Sequence, residues 1–360
     1  MSVSVSVSAE PLVGIVTPVY NGEAYLAECI ESVLKQSYRN WEYVIVNNCS
    51  TDHSLDIAKK YAAREPRIRV HDNETFLSQV QNHNRALSLV SPSCAYYKMV
   101  QADDWIFPEC LERMVQLAEE NPTVGLVSSY QLAGTRIMGE GLPFHRTVVS
   151  GHEICRLQLL EGLFFFGSPT AVLIRGEAVR NRRPFYDESM IHGDTDACYS
   201  ILSDWAFGFV HQVLTFYRTD NEGLSSSIQY LNPESLDKFI IILSHGKTFL
   251  ERSEFDTTLR SFRRRYFRML ARGLFFPNGW VQFRYHQSGL KTVGYKLTLL
   301  KLFPYVLYEL ADMILNPKKT AGELMEVLKR IFSGNGPFKK SHEAACAKSN
   351  PSTISGARHS

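Results

Sequence analysis

The chain has 360 residues, 44% hydrophobic and 12% aromatic, enough for a large core in two domains or one extended domain. Its 39 Lys and Arg nearly balance 37 Asp and Glu, so the whole-chain field gives no argument for a nucleic-acid partner. Seven scattered cysteines with no CxxC pair fit a reducing compartment better than a disulfide framework, and eleven histidines without HExxH or Cys/His spacing argue against a structural zinc site.

In chain order, residues 1–10 read as a polar tail, since MSVSVSVSA lacks the basic start and apolar core of a signal peptide. Leu12–Val19 reads as a strand and Glu23–Gln36 as a helix with Leu26, Ile30, Val33 and Leu34 on one face. Strands at Tyr43–Val46, Ile68–Val70, Tyr96–Val100 and Val124–Ser128 then alternate with helices at Ser54–Arg64, Leu77–Leu89 and Pro108–Glu120. That rhythm predicts an α/β domain: a mostly parallel sheet flanked by helices. Beyond residue 130 it breaks. Gly134–Pro143 is loop-like, Gly151–Leu160 and Asp194–Leu202 are helical, and Ala171–Ile174 and Phe207–Leu214 read as strands.

From Pro233 the pattern turns helical, with arginines gathered over Arg260–Arg268. No stretch reaches the ~20 uncharged apolar residues of a membrane span. Leu297–Leu315 comes nearest but carries Lys301, Pro304, Glu309 and Asp312 and is amphipathic instead. Residues 333–360, rich in Ser, Gly, Lys and Ala, read as a disordered tail. The expected division is a catalytic domain over 11–230, a helical extension over 231–332 and that tail.

Four loops gather at one sheet edge if the strands are parallel, and in open α/β sheets ligands bind outside the carboxyl ends of the strands. They are Thr17–Gly22, Asn47–Asp52, Gln101–Asp104 and His192–Asp196. In YYKMVQADDW an apolar run stops at Asp103 and Asp104. Two adjacent acids repel unless a cation or hydrogen-bond donors offset them, and Mg²⁺ commonly takes one or two carboxylates plus substrate phosphates. A solvated strand-to-helix turn is the simpler alternative. No GxGxxG or Walker glycine loop follows the first strand, which argues against a dinucleotide or P-loop site.

TPVYNGEAYLAECIESVLKQSYRNWEYVIVNNCSTD (Thr17–Asp52), QADDW, GSPTAVLIR and GDTDACYSIL, in that order, resemble the motifs of a family 2 glycosyltransferase across residues 11–225. The resemblance implies a glycosyltransferase A-type fold, a nucleotide-diphosphate sugar donor, inversion at the anomeric carbon, and a glycan or lipid-linked acceptor in surface polysaccharide assembly. It assigns Pro18, Tyr20, Asn21 and Asn47 to the donor, Asp103 to the donor and a Mg²⁺ or Mn²⁺ ion, Arg218 to the diphosphate and Asp194 to the catalytic base. Asp220, where relatives often carry His, becomes a candidate second metal ligand. Asp52 either caps a helix or touches ligand, and Asp104 orders its loop or joins the metal.

Three positions depart from the family pattern: Asn47 and Gln101 are amides where acids are usual, and Gly193 replaces a Glu. They leave an inactive nucleotide-sugar or glycan-binding module of the same fold as the alternative. The expected location is the cytoplasm or the cytoplasmic face of the membrane. Peripheral membrane contact is expected through 259–315, where Arg260–Arg268 reads either as a basic amphipathic surface helix or as a packed helix with a solvated face.

Overall fold

The computed structural model describes residues 10–188, 190, 193–219, 229–318, 320–322 and 325. β1 (Val13–Val19) is buried along its whole length because it runs parallel to β2 (Trp41–Asn47) on one side and β4 (Tyr96–Met99) on the other. The other strands are β3 (Ile68–Asp72), β5 (Trp105–Ile106), β6 (Val124–Ala133), β7 (Arg136–Met138), β8 (Val148–Val149), β9 (Leu173–Arg175) and β10 (Ala206–Tyr217). Together they form one sheet in the order β3-β2-β1-β4-β9-β6-β10-β5, with β7 on β6 and β8 on β10.

Its first four strands are parallel, and β6 and β10 are parallel to each other. β9 enters between β4 and β6 in the opposite direction, so the far half is mixed. The period of two in each strand feeds two cores. Val13, Ile15, Tyr43 and Ile45 meet the helices α1 (Leu26–Leu34), α2 (Ser54–Ala62) and α4 (Cys110–Glu120). Val16, Val44, Val46 and Met99 face α3 (Gln79–Ser88), α5 (Gly151–Glu161), α6 (Gly176–Arg180) and α7 (Gly193–Ile201).

Local chemistry sets the helix starts. Ser78 and Gln81 form a reciprocal capping box at α3, and the Ser150 hydroxyl accepts the Glu153 N–H at α5. Gly151 opens α5 against main chain: a Cβ there would stand 2.0 Å from the Leu202 carbonyl oxygen and 2.3 Å from that of Trp205.

Four more helices follow: α8 (Pro233–Phe249), α9 (Arg252–Gly273), α10 (Gly279–Thr292) and α11 (Leu299–Leu315). The described residues divide into two compact units, the first holding 10–219, 234–263 and 292–294, the second 229–233, 264–291 and 295–325. In the second, Tyr266, Phe267, Leu270, Phe283, Leu290 and Leu302 are buried, and the Tyr266 hydroxyl meets His286 Nδ1 at 2.5 Å. The apolar residues of Arg260–Arg268 are therefore packed inward. No helix among the described residues is long and apolar enough to cross a membrane. The expected terminal tails lie outside the described residues.

Candidate active site

The acidic loop starts where β4 ends. Asp104 N–H closes a turn on the Gln101 carbonyl at 3.0 Å, leaving Asp103 half-buried and Asp104 only 1% exposed. Asp104 is fully occupied as an anchor: it accepts the Thr170 hydroxyl at 2.6 Å and the Arg218 main-chain N–H at 3.1 Å. Thr170 belongs to a short 3₁₀ turn, Pro169–Ala171, and is itself held from below. The buried Lys98 ammonium donates to its carbonyl at 2.6 Å, and Gln101 N–H donates to its hydroxyl at 3.1 Å. Gly167 leads into that turn at φ 69°, where a Cβ would come within 2.5 Å of Ala171.

Arg218, just past β10, braces the loop from the other side. Its Nε donates to the Asp103 carbonyl at 3.0 Å, while its outer nitrogen meets Glu28 at 2.5 Å and its plane lies 4.3 Å from the Tyr25 ring centroid. Burial pushes the Asp103 carboxyl up, against the pull of the Arg218 charge. Burial and then the neighbouring Asp103 push Asp104 up to about 7. A crowded acid pair of this kind is relieved by a cation, and Asp103 is the less buried of the two. That donor set fits Mg²⁺ or Mn²⁺ drawing its other ligands from phosphate oxygens and water. Among the described residues no three His, Cys, Asp or Glu side chains form a metal cluster. Asp220 lies outside the described residues.

The Gln101 amide turns toward His83 Nε2 and Met99 Sδ, each at 3.5 Å. Burial lowers His83 to about 4, so that ring is neutral near pH 7. Sequence reasoning flagged Gln101 as a missing acid but not its partner on α3.

The ends of β1 and β2 build the neighbouring wall. Pro18 occupies a strand position whose alternation points its missing N–H toward β4, and β4 has stopped at Met99. Tyr20 is half-exposed and meets Phe76 edge-on with centroids 4.9 Å apart, forming an exposed aromatic pair. Phe76 was not singled out from sequence; its signal is a lone aromatic in the polar loop DNETFLS. Asn21, at φ 50°, spends its carbonyl on the Thr51 N–H at 2.8 Å and so ties the two loops together. Asp52 stands one residue before His53, the N-cap of α2; it accepts Ser54 N–H at 3.0 Å and Glu23 N–H at 2.9 Å, and these bonds outweigh partial burial to hold its carboxyl below the ordinary range.

Asn47 is 1% exposed and donates through Nδ2 to the Asp72 carboxylate at 2.7 Å. That bond fixes the amide's orientation, and its Oδ1 is buried with no hydrogen-bond partner. Nothing in the sequence pairs positions 47 and 72; the parallel register of β2 on β3 does.

Asp194 sits in the first turn of α7 and lines a small cleft with Phe166, Gly167, Ser168, Pro169 and Tyr186. The same Gly167–Ala171 segment thus borders Asp194 and anchors Asp104. Of the three consecutive phenylalanines, Phe165 and Phe166 are core and Phe164 is partly exposed. Two residues on, Asp196 is buried between Arg182 (2.5 Å) and His245 Nε2 (2.7 Å) and is a structural anchor of α7. A side chain at Gly193 would bring its Cβ to 3.2 Å from the Asp187 carbonyl oxygen, so that main chain would have to give by a few tenths of an ångström. His192 lies outside the described residues.

A mixed sheet, an acidic turn after the strand ending at Met99 and a carboxylate opening a later helix define an α/β fold with acids on its loops. Glycosyl transferase family 2 matches residues 14–185. TuaG of Bacillus subtilis, described as a teichuronic acid biosynthesis glycosyltransferase, is 32% identical over 220 residues, covering 61% of this chain and 83% of that protein. The chain belongs to glycosyl transferase family 2. The glycosyltransferase EpsE of B. subtilis is 33% identical over 179 residues, 49% of this chain and 60% of its own length. Four further curated relatives are matched over only 13% to 39% of their lengths.

Among solved structures, S. aureus TarS 1–349 in complex with UDP-GlcNAc superposes with TM-score 0.56 at 20% identity, covering 76% of this chain and 79% of that one. The mannosyltransferase PcManGT from Pyrobaculum calidifontis, in complex with GDP-Man and Mn²⁺, gives 0.52 at 13% identity over 91% and 88%. They share the glycosyltransferase A-type fold with this chain.

Proposed function

We propose that the chain is an inverting glycosyltransferase that moves a sugar from a nucleoside-diphosphate donor to a hydroxyl of a glycan or lipid-linked acceptor in surface polysaccharide assembly. One arrangement carries this reading: the Gly167–Ala171 turn joins the cleft lined by Asp194 to the acidic loop of Asp103. The inactive-module reading rests on three absent acids, whereas the two carboxylates with direct chemical jobs, Asp103 and Asp194, are retained.

In the proposed reaction Asp194 takes the proton from the acceptor hydroxyl as its oxygen bonds to the anomeric carbon from the face opposite the diphosphate. The bond from that carbon to the diphosphate oxygen breaks, which inverts the configuration. Arg218 holds the Asp103 main chain in place through its Nε, with its outer nitrogen on Glu28. When bound, Mg²⁺ or Mn²⁺ on Asp103 supplies positive charge against the leaving diphosphate.

Asn47 and the Tyr20–Phe76 pair take the nucleoside. One N–H of the Asn47 amide is committed to Asp72, leaving its second N–H and the buried Oδ1 for further hydrogen bonding. TuaG's description as a teichuronic acid biosynthesis glycosyltransferase supports the polysaccharide context.

Transfer assays across nucleotide sugars with Mg²⁺ or Mn²⁺ test the reading. Asp194→Asn lowers turnover by about 10²–10⁴-fold while calorimetry shows donor affinity nearly unchanged. Equal loss of donor binding in that variant would count against these assignments.

A further inference from the structure

We infer that α11 is an in-plane membrane-binding helix whose exposed apolar stripe inserts into an anionic phospholipid surface. Leu300, Phe303, Leu307, Leu310 and Ile314 recur at spacings of three and four on α11, and all are exposed, Leu300 to 83% and Ile314 to 69%. Such spacing places them along one side of a helix. Among the exposed residues of α11 there is one cation, Lys301, and no carboxylate. Both acids of the helix turn inward: Glu309 binds Arg268 at 2.7 Å and Arg272 at 2.8 Å, and Asp312 binds Arg272 at 3.2 Å.

Charge selects the occupant. Residues 264–291 and 295–318 of the second unit hold nine Lys or Arg and two acids, a net of +7, although the whole chain carries only +2. Two copies meeting through this face would bring like charge to like charge. An anionic bilayer offers acyl chains to the stripe and headgroups to Lys296, Lys301 and Lys318, which are exposed before, within and after the helix. At 17 residues and with its inward acids the helix lies on a membrane rather than crossing one. Within 259–315, contact thus moves from the packed Arg260–Arg268 segment to α11. The inference rests on the charge and exposure of the second unit and is independent of the catalytic reading.

Co-sedimentation of the purified full chain with phosphatidylcholine vesicles, with and without phosphatidylglycerol, tests it. Binding is expected only with phosphatidylglycerol, and it weakens as salt rises. Leu300→Ser combined with Leu307→Ser removes it with no loss of thermal stability, because both side chains are exposed in the parent. Lys296→Gln and Lys301→Gln each lower partitioning about fivefold. The inference is overturned by absence of binding at low salt. It is equally overturned by unchanged binding of the double Ser variant, or by a dimer that this variant disperses while vesicles are ignored.

Discussion

Asn47 shows how one substitution is absorbed by its surroundings. Asp is usual at this position in the family, and here it would put two carboxylates where the Nδ2–Asp72 bond of 2.7 Å now stands. Asn47→Asp is therefore expected to cost about 1–3 kcal/mol of stability and to weaken donor binding. Adding Asp72→Asn restores the donor–acceptor pairing and recovers both losses. Chemical denaturation and UDP or GDP titration across the four-member cycle measure the coupling, and purely additive effects would sink the pairing. The site at this scale was partly legible. The family motif proposes Asp103 as ligand and Asp104 as loop support or second ligand, and the structure holds Asp104 on Thr170 and Arg218. The partners Thr170, Lys98 and Asp72 were not legible, since they lie 66, 72 and 25 residues from the groups they bond and meet them only through the tertiary fold.

Whole elements are set by close main-chain approach and by buried charge. Gly151→Ala forces a methyl group against the carbonyls of Leu202 and Trp205, where no side-chain rotamer can relieve the contact. A loss of about 2–3 kcal/mol is expected in thermal or urea unfolding, and a neutral outcome would mean that α5 shifts freely. In α7 the Asp196 carboxylate is buried, yet its bonds from His245 and Arg182 hold it below the ordinary range. A carboxyl lowered in the folded state adds stability above its unfolded value near pH 4, and that contribution is lost as pH falls through the folded value. Asp196→Asn should cost about 3 kcal/mol near neutrality, with the gap from the parent closing below about pH 4. A gap constant with pH would remove the ion pair from the account. The long elements were readable because periodicity persists over many residues. β5, β7 and β8, at two or three residues each, carry no period and exist only because a longer strand lies beside them.

At the scale of the whole molecule the proposed metal would come with the donor and not with the fold. No cluster of three ligating side chains couples a cation to folding among the described residues. Chelation with EDTA is expected to abolish transfer and weaken nucleotide binding while leaving the unfolding midpoint of the donor-free chain unchanged. Re-addition of Mg²⁺ or Mn²⁺ restores transfer, and full turnover in EDTA would remove Asp103 from its metal role.

By itself the sequence determined the alternation of strands and helices, the family, the acidic loop and the carboxylate opening α7. These are local patterns or ordered motifs, and each is complete within a short stretch of chain. Only the tertiary structure decided that β9 runs against its neighbours, that Asn47 leans on Asp72, and that one turn both anchors Asp104 and borders Asp194. It also decided that Tyr266 and Phe267 of the arginine-rich segment pack inward while α11 keeps Leu300, Leu307 and Leu310 outside. Such outcomes depend on which surfaces meet, and a linear chain carries that information only through the sum of all its contacts.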